Sequence, residues 1–185
     1  ASVNPESITM VFPSAFLNNP ASSFGHTLIR IDQPSQTEET RFLSFAANYA
    51  ASTANEDILT YALSGIFGWY KGYFSIEPYY ERVKQYADLE NRDIWEYQLN
   101  FSPEEVRRIV THLWEMRGIA LDYFYFDENC SYLLLSLLDV GRPELELTKQ
   151  SSLVIIPVDT IRTTIESQGL LRQVVFRPSP ATEMK

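Results

Sequence analysis

Cys130 is the one cysteine of the chain. It follows Asn129 and opens a greasy run, Ser131 to Val140, that reads as a buried helix stopped by Gly141. A helix start offers unpaired N–H groups and the positive end of the helix dipole. Both favour a thiolate, so a sulfur there is a candidate nucleophile. The same amides can receive the oxyanion of a tetrahedral intermediate, which makes acyl transfer the chemistry to test. Asp127 or Asn129 can cap this helix. A carboxylate beside the sulfur would oppose thiolate formation, which favours Asn129 as cap and support.

A thiol nucleophile needs a base, and the chain has two histidines. His112 falls inside a predicted helix beside its apolar stripe and reads as structural. His26 stands at the start of a predicted strand, just after the turn Ser22-Ser23-Phe24-Gly25. Strand ends beside loops often present reactive side chains, so His26 is the candidate base. A third group would fix its tautomer. Ser44 and Asn48 are the polar candidates on the partner segment. Asn48 is preferred, because an amide oxygen accepts from the ring N–H without adding charge. Ser23 can support an oxyanion or cap its own loop. Arg30 shares strand parity with His26, and can hold a substrate anion or pair with Asp127 or Glu128. Trp69, Tyr70 and Tyr73 crowd a Gly-rich patch and read as a substrate groove or as ordinary packing.

The elements that must carry these groups follow from pattern. Ile8–Phe12 reads as a strand ended by Pro13. His26–Ile31 and Arg41–Ala46 form a predicted hairpin around the turn DQPSQTEET. Helices are expected over Asn55–Phe67 and Glu81–Ala87, and a strand over Asp93–Leu99. Ser102-Pro103-Glu104-Glu105 is a capping-box start for a helix reaching Arg117, with Val106, Ile109, Val110, Leu113 and Trp114 as its apolar stripe. A last helix is expected over Asp159–Ser167 and a last strand over Leu171–Phe176. Strands and helices segregate, so the expected class is α+β, an antiparallel sheet packed against helices. At 185 residues the chain fits a single domain spanning 1–185, with its core over about 8–177 and a loose tail over 178–185.

Composition closes several classes. The net charge is −9 and no Lys/Arg cluster is present, which argues against nucleic acid and against a polybasic lipid patch. No apolar stretch approaches the ~18 residues of a spanning helix. The polar opening ASVNPES is no signal peptide, so the expectation is a mature secreted form or a domain of a longer membrane protein. No metal-binding spacing, P-loop or dinucleotide fingerprint occurs, so neither a metal nor a cofactor is expected.

Ser23-Phe24-Gly25-His26-Thr27-Leu28 with Arg30, then Asn48-Tyr49, then Tyr125 through Asn129-Cys130 to Leu134, resemble the N-terminal domain of the lipoprotein intramolecular transacylase (Lnb) family. The stretches Tyr73–Tyr80 and Glu90–Tyr97 resemble it too, and the likeness runs from about Val11 to Leu171. The Asn-Cys pair and the His-before-Cys order are also similar to the lecithin–retinol acyltransferase group. The resemblance implies a circularly permuted papain-like fold in the bacterial periplasm. It implies Cys130 as nucleophile and His26 as base, moving an acyl chain through a thioester. A lipid or lipoprotein substrate, with a membrane surface nearby, is what the family suggests. A cysteine amidase or peptidase on cell-wall peptides, and a non-enzymatic envelope binding module, are the competing readings.

Overall fold

The computed structural model describes residues 4–14, 26–51, 70–123, 129–150 and 156–184. Seven strands form one sheet in the order β6-β4-β3-β2-β1-β5-β7, every pair antiparallel. In chain order they are β1 (Ser7–Pro13), β2 (Leu28–Asp32), β3 (Phe45–Ala51), β4 (Tyr70–Pro78), β5 (Ile94–Leu99), β6 (Leu121–Tyr123) and β7 (Leu171–Arg177). The helices are α1 (Tyr79–Val83), α2 (Pro103–Glu115), α3 (Cys130–Gly141), α4 (Leu147–Gln150), α5 (Pro157–Glu166) and α6 (Pro180–Glu183).

Alternation along the strands sorts the sheet into two faces. Ile8 and Met10, Ile29 and Ile31, Ala47 and Tyr49 join Phe74 and Leu99 in the larger core. Helix α2 adds Val106, Ile109 and Leu113 there, and α3 adds Cys130, Leu134, Leu135 and Leu138. Val11, Leu28, Ala46 and Ile94 point the other way, onto Tyr79 and Tyr86. Those two rings come from α1 and from the wide turn Lys84–Leu89 that continues it, where the Glu90 N–H reaches back to the Gln85 carbonyl.

Strong local signals were realised. Ser102 accepts from the Glu105 N–H while the Glu105 carboxylate accepts from the Ser102 N–H, so the box starts α2 as expected. Gly118 ends that helix at φ +78, a value that favours glycine. Gly141 serves packing instead: a Cβ there would meet Ile109 Cδ1 at 2.6 Å. Trp114 departs from the expected stripe and is 63% exposed.

Several boundaries moved. Arg41–Leu43 lies in a short 3-10 turn, and the return strand is Phe45–Ala51. Residues 70–78, read as an aromatic patch, form β4, the second strand from one edge of the sheet. Past β7 the chain keeps contact with the sheet's neighbours. Ser179 is buried, its N–H donates to Asp93 Oδ1 at 2.8 Å, and α6 follows. The helix expected at Asn55–Phe67 lies outside the described residues.

Candidate active site

Asn129 sits just before α3 with extended backbone, and its Oδ1 accepts from the N–H groups of Ser131 (2.9 Å) and Tyr132 (3.2 Å). It is the N-cap, as expected. Two helix-start amides are therefore already engaged by Asn129 itself. Cys130 is the first residue of α3 and is buried, with its side chain in the larger core. Burial pushes its thiol up to about 11, against the opposing pull of the Ser131 hydroxyl and of the Ser131 and Cys130 N–H groups. The helix start favours the thiolate, but desolvation outweighs it.

His26 precedes β2. Its Nε2 lies 2.7 Å from Asn48 Oδ1 on β3. Asn48 is 5% exposed. The amide oxygen can only accept, so with Oδ1 in this place the proton sits on Nε2, and Nδ1 keeps its lone pair. Burial draws the imidazole down to about 4. The Asn48 bond and Glu90 oppose that fall, and Arg92 and Arg82 add to it. The ring packs against Tyr86, centroids 6.2 Å apart. Arg82 and Tyr86 come from α1 and the wide turn after it, and Glu90 and Arg92 from the segment between that turn and β5. Only the likeness over Glu90–Tyr97 hinted at them, because their approach needs the turn to fold back over the sheet.

The structure thus brings His26 and Asn48 together and does not hydrogen-bond either to Cys130. His26 shares its surroundings with the Tyr79–Tyr86 face, whereas Cys130 belongs to the larger core. The β2–β3 register, continued, puts His26 at the level of Ala50, and Tyr123 pairs with Tyr70 just past the level of Ala51.

Arg30 is a structural residue. Its Nε meets Asp32 Oδ1 at 2.6 Å and its Nη1 meets Glu96 Oε2 at 2.7 Å. The carboxylate partners expected for it, Asp127 and Glu128, lie outside the described residues. Glu96 also accepts from Tyr79 OH (2.8 Å) and pairs with Arg177 (2.5 Å). Burial works against the Arg30 charge, but Asp32 and Glu96 outweigh it and hold its pKa above the usual range. Ser44 bonds Asp32 and Gln36, so it takes part in this network and not in fixing His26.

Of the expected groove residues, Tyr70 is buried at 7% exposure and Tyr73 is 39% exposed. They are not a common aromatic lip: Tyr73 alternates with Phe74, whose ring belongs to the larger core. Ser23 and Trp69 lie outside the described residues. His112 lies on α2 within 3.6 Å of Glu115, consistent with a structural residue. Among the described residues no cluster of His, Cys, Asp and Glu could hold a metal ion, and no helix is long and apolar enough to cross a membrane.

An antiparallel sheet with helices on it, and a cysteine at the start of a packed helix, later in the chain than the histidine that precedes β2, make an α+β domain of papain-like fold. The fold is similar to the crystal structure of TseH, a type VI secretion system effector. That match has a TM-score of 0.60 and 11% sequence identity over 98% of this chain and 97% of the other. Residues 1–167 match the Lnb N-terminal periplasmic domain, and the chain belongs to that family. It is therefore a periplasmic domain. Comparison with curated proteins gives no match.

Proposed function

We propose that the chain is a thiol-dependent acyltransferase or hydrolase of the cell envelope, working through a thioester at Cys130 on a lipid or lipoprotein. The observation that carries this reading is the 2.7 Å His26–Asn48 bond. It supplies an oriented, neutral imidazole with a free Nδ1, in a chain of this family whose one cysteine starts a helix. In the proposed reaction Nδ1 takes the thiol proton and the sulfur attacks the acyl carbonyl. The tetrahedral intermediate collapses, and the departing alkoxide takes the proton from His26. An amine or water then attacks the thioester and gives its proton to His26. The tetrahedral adduct expels the thiolate, which recovers that proton.

The reading carries one condition. A thiol near 11 and an imidazole near 4 are two neutral groups, and no hydrogen bond joins them. Turnover therefore requires Cys130 and His26 to come into contact once substrate is bound.

The test is mass spectrometry of the Cys130 peptide after incubation with a synthetic diacylated lipopeptide. Acylation of Cys130 is expected, with complete loss in Cys130→Ala and a fall of about 10²–10⁴-fold in rate in His26→Ala. Full-rate acylation in His26→Ala would remove His26 as base. Absence of acylation, together with release of peptides from peptidoglycan fragments, would replace this reading by the amidase one.

A further inference from the structure

A cleft of about 830 Å³ opens between α2 and the face of the sheet that carries the larger core. That volume lies within the roughly 300–1,000 Å³ of small-molecule sites. Its apolar lining is Ile31, Phe45, Phe74 and Ile76 from the strands and Val110 and Trp114 from α2. Phe74 also packs in the core that contains Cys130, with Tyr49 5.1 Å away.

Two features of the cleft need an occupant. Trp114 is 63% exposed and Ile76 37%, so a large apolar surface faces solvent in one place. Arg107 and Arg117 stand on the same wall, and neither has a carboxylate partner among the described residues. Arg30, Arg82, Arg92, Arg142 and Arg177 each pair with a carboxylate, whereas Arg107 and Arg117, like Arg108 and Arg172, do not among the described residues. Arg117 instead stacks on the Trp114 ring, 5.2 Å from its centroid. Arg107, Val110, Thr111 and Trp114 fall on one side of α2 as a stripe roughly 10 Å long, and Arg117 follows just past the helix end.

We infer that this cleft binds a long-chain fatty-acid anion, its chain laid along Val110 and Trp114 and its carboxylate held by an arginine at the end of the stripe. An extended apolar lining with cationic ends fits such an amphiphile by shape and charge. A peptide adding to the sheet in this cleft would find an edge only at β4 beyond Gly72, because β2 and β3 are paired on both sides. The earlier expectation of a groove at Trp69, Tyr70 and Tyr73 is thus moved along β4 to Phe74 and Ile76. The inference stands apart from the thioester chemistry, because nothing in it uses Cys130.

The test is titration of the full chain, carrying Cys130→Ala, with palmitate below its micelle concentration and with hexadecanol as the uncharged control. Saturable binding of one palmitate per chain is expected. Joint Arg107→Glu and Arg117→Glu should weaken palmitate at least tenfold and change hexadecanol by less than twofold. Trp114→Ala should weaken both ligands. All three positions are exposed, and cooperative thermal unfolding of each variant checks that it folds. Should the double variant fail to fold, Trp114→Ala decides alone. Lack of saturable palmitate binding, or equal weakening of acid and alcohol by the arginine changes, overturns the inference. So does tenfold tighter binding of an anionic lysophospholipid, or an unaltered affinity in Trp114→Ala. Because the protein lacks the thiol, failure of the catalytic reading leaves each of these outcomes unchanged.

Discussion

The two halves of the candidate pair live in opposite surroundings. Cys130 is enclosed by leucines of α3 and by the apolar residues of alternating strand positions. His26 stands where the other face carries Arg82, Glu90 and Arg92, with the Arg30–Asp32–Glu96–Arg177 network deeper in the same layer. Both groups are held neutral, by burial first in each case. The difference lies in what opposes burial. A few helix-start donors act on the thiol, whereas cations near His26 add to the fall and only Asn48 and Glu90 resist it. One face is thus ordered by volume filling and the other by charge pairing, and the two respond to different perturbations.

The largest expected effect is on the charged face. Arg30→Ala leaves Asp32 buried without its cation and Glu96 with Arg177 alone, and should lower the unfolding free energy by about 3–5 kcal/mol. Urea unfolding checks it, and a loss under 1 kcal/mol would mean that water replaces the guanidinium.

His26→Gln sharpens the comparison through pH. The folded imidazole sits near 4 against 6.5 unfolded, so the unfolded state binds the extra proton between those values. Wild-type stability should therefore fall as pH drops from 6.5 toward 4, relative to the variant, by at most about 3 kcal/mol. Partial exposure of His26 makes that an upper bound. Parallel stability curves for the two proteins would place the imidazole in water.

The smallest effect is on the cysteine side. Asn129→Ala removes the cap of α3 and should cost about 1 kcal/mol. A thermal melt measures the loss. The freed Ser131 and Tyr132 amides should also make Cys130 alkylate differently from wild type, and unchanged alkylation would separate the cap from the thiol.

Much of this was legible because it is local. The Ser102 box, the Gly118 stop, the Asn129 cap and the β5 and β7 strands each follow from a few adjacent residues. The resemblance over residues 23–30 and 125–134 pointed to His26 and Cys130. It was less informative about β4, whose Gly72 hid the strand. Gly72 is there because a Cβ would meet the Tyr49 hydroxyl at 2.1 Å, a contact made across strands. Arg30's described partners were not foreseen for a related reason. Parity gave its face, but Asp32 lies two residues on and Glu96 comes from a strand far along the chain.

Chain order and residue type alone determined that one thiol, two imidazoles and a capped apolar helix exist, and so which chemistry was open. They also determined the polar and apolar alternation of the strands, since period two is a property of the extended backbone. Tertiary structure decided which face each group occupies. It put Asn48 on His26, folded Tyr86, Arg82 and Arg92 over the imidazole, buried Cys130 among leucines and left Trp114 beside two arginines with no carboxylate partner among the described residues. Those outcomes depend on strand order and helix docking. A hydrogen bond or a desolvation penalty is set by distance in space, and sequence separation does not carry that distance.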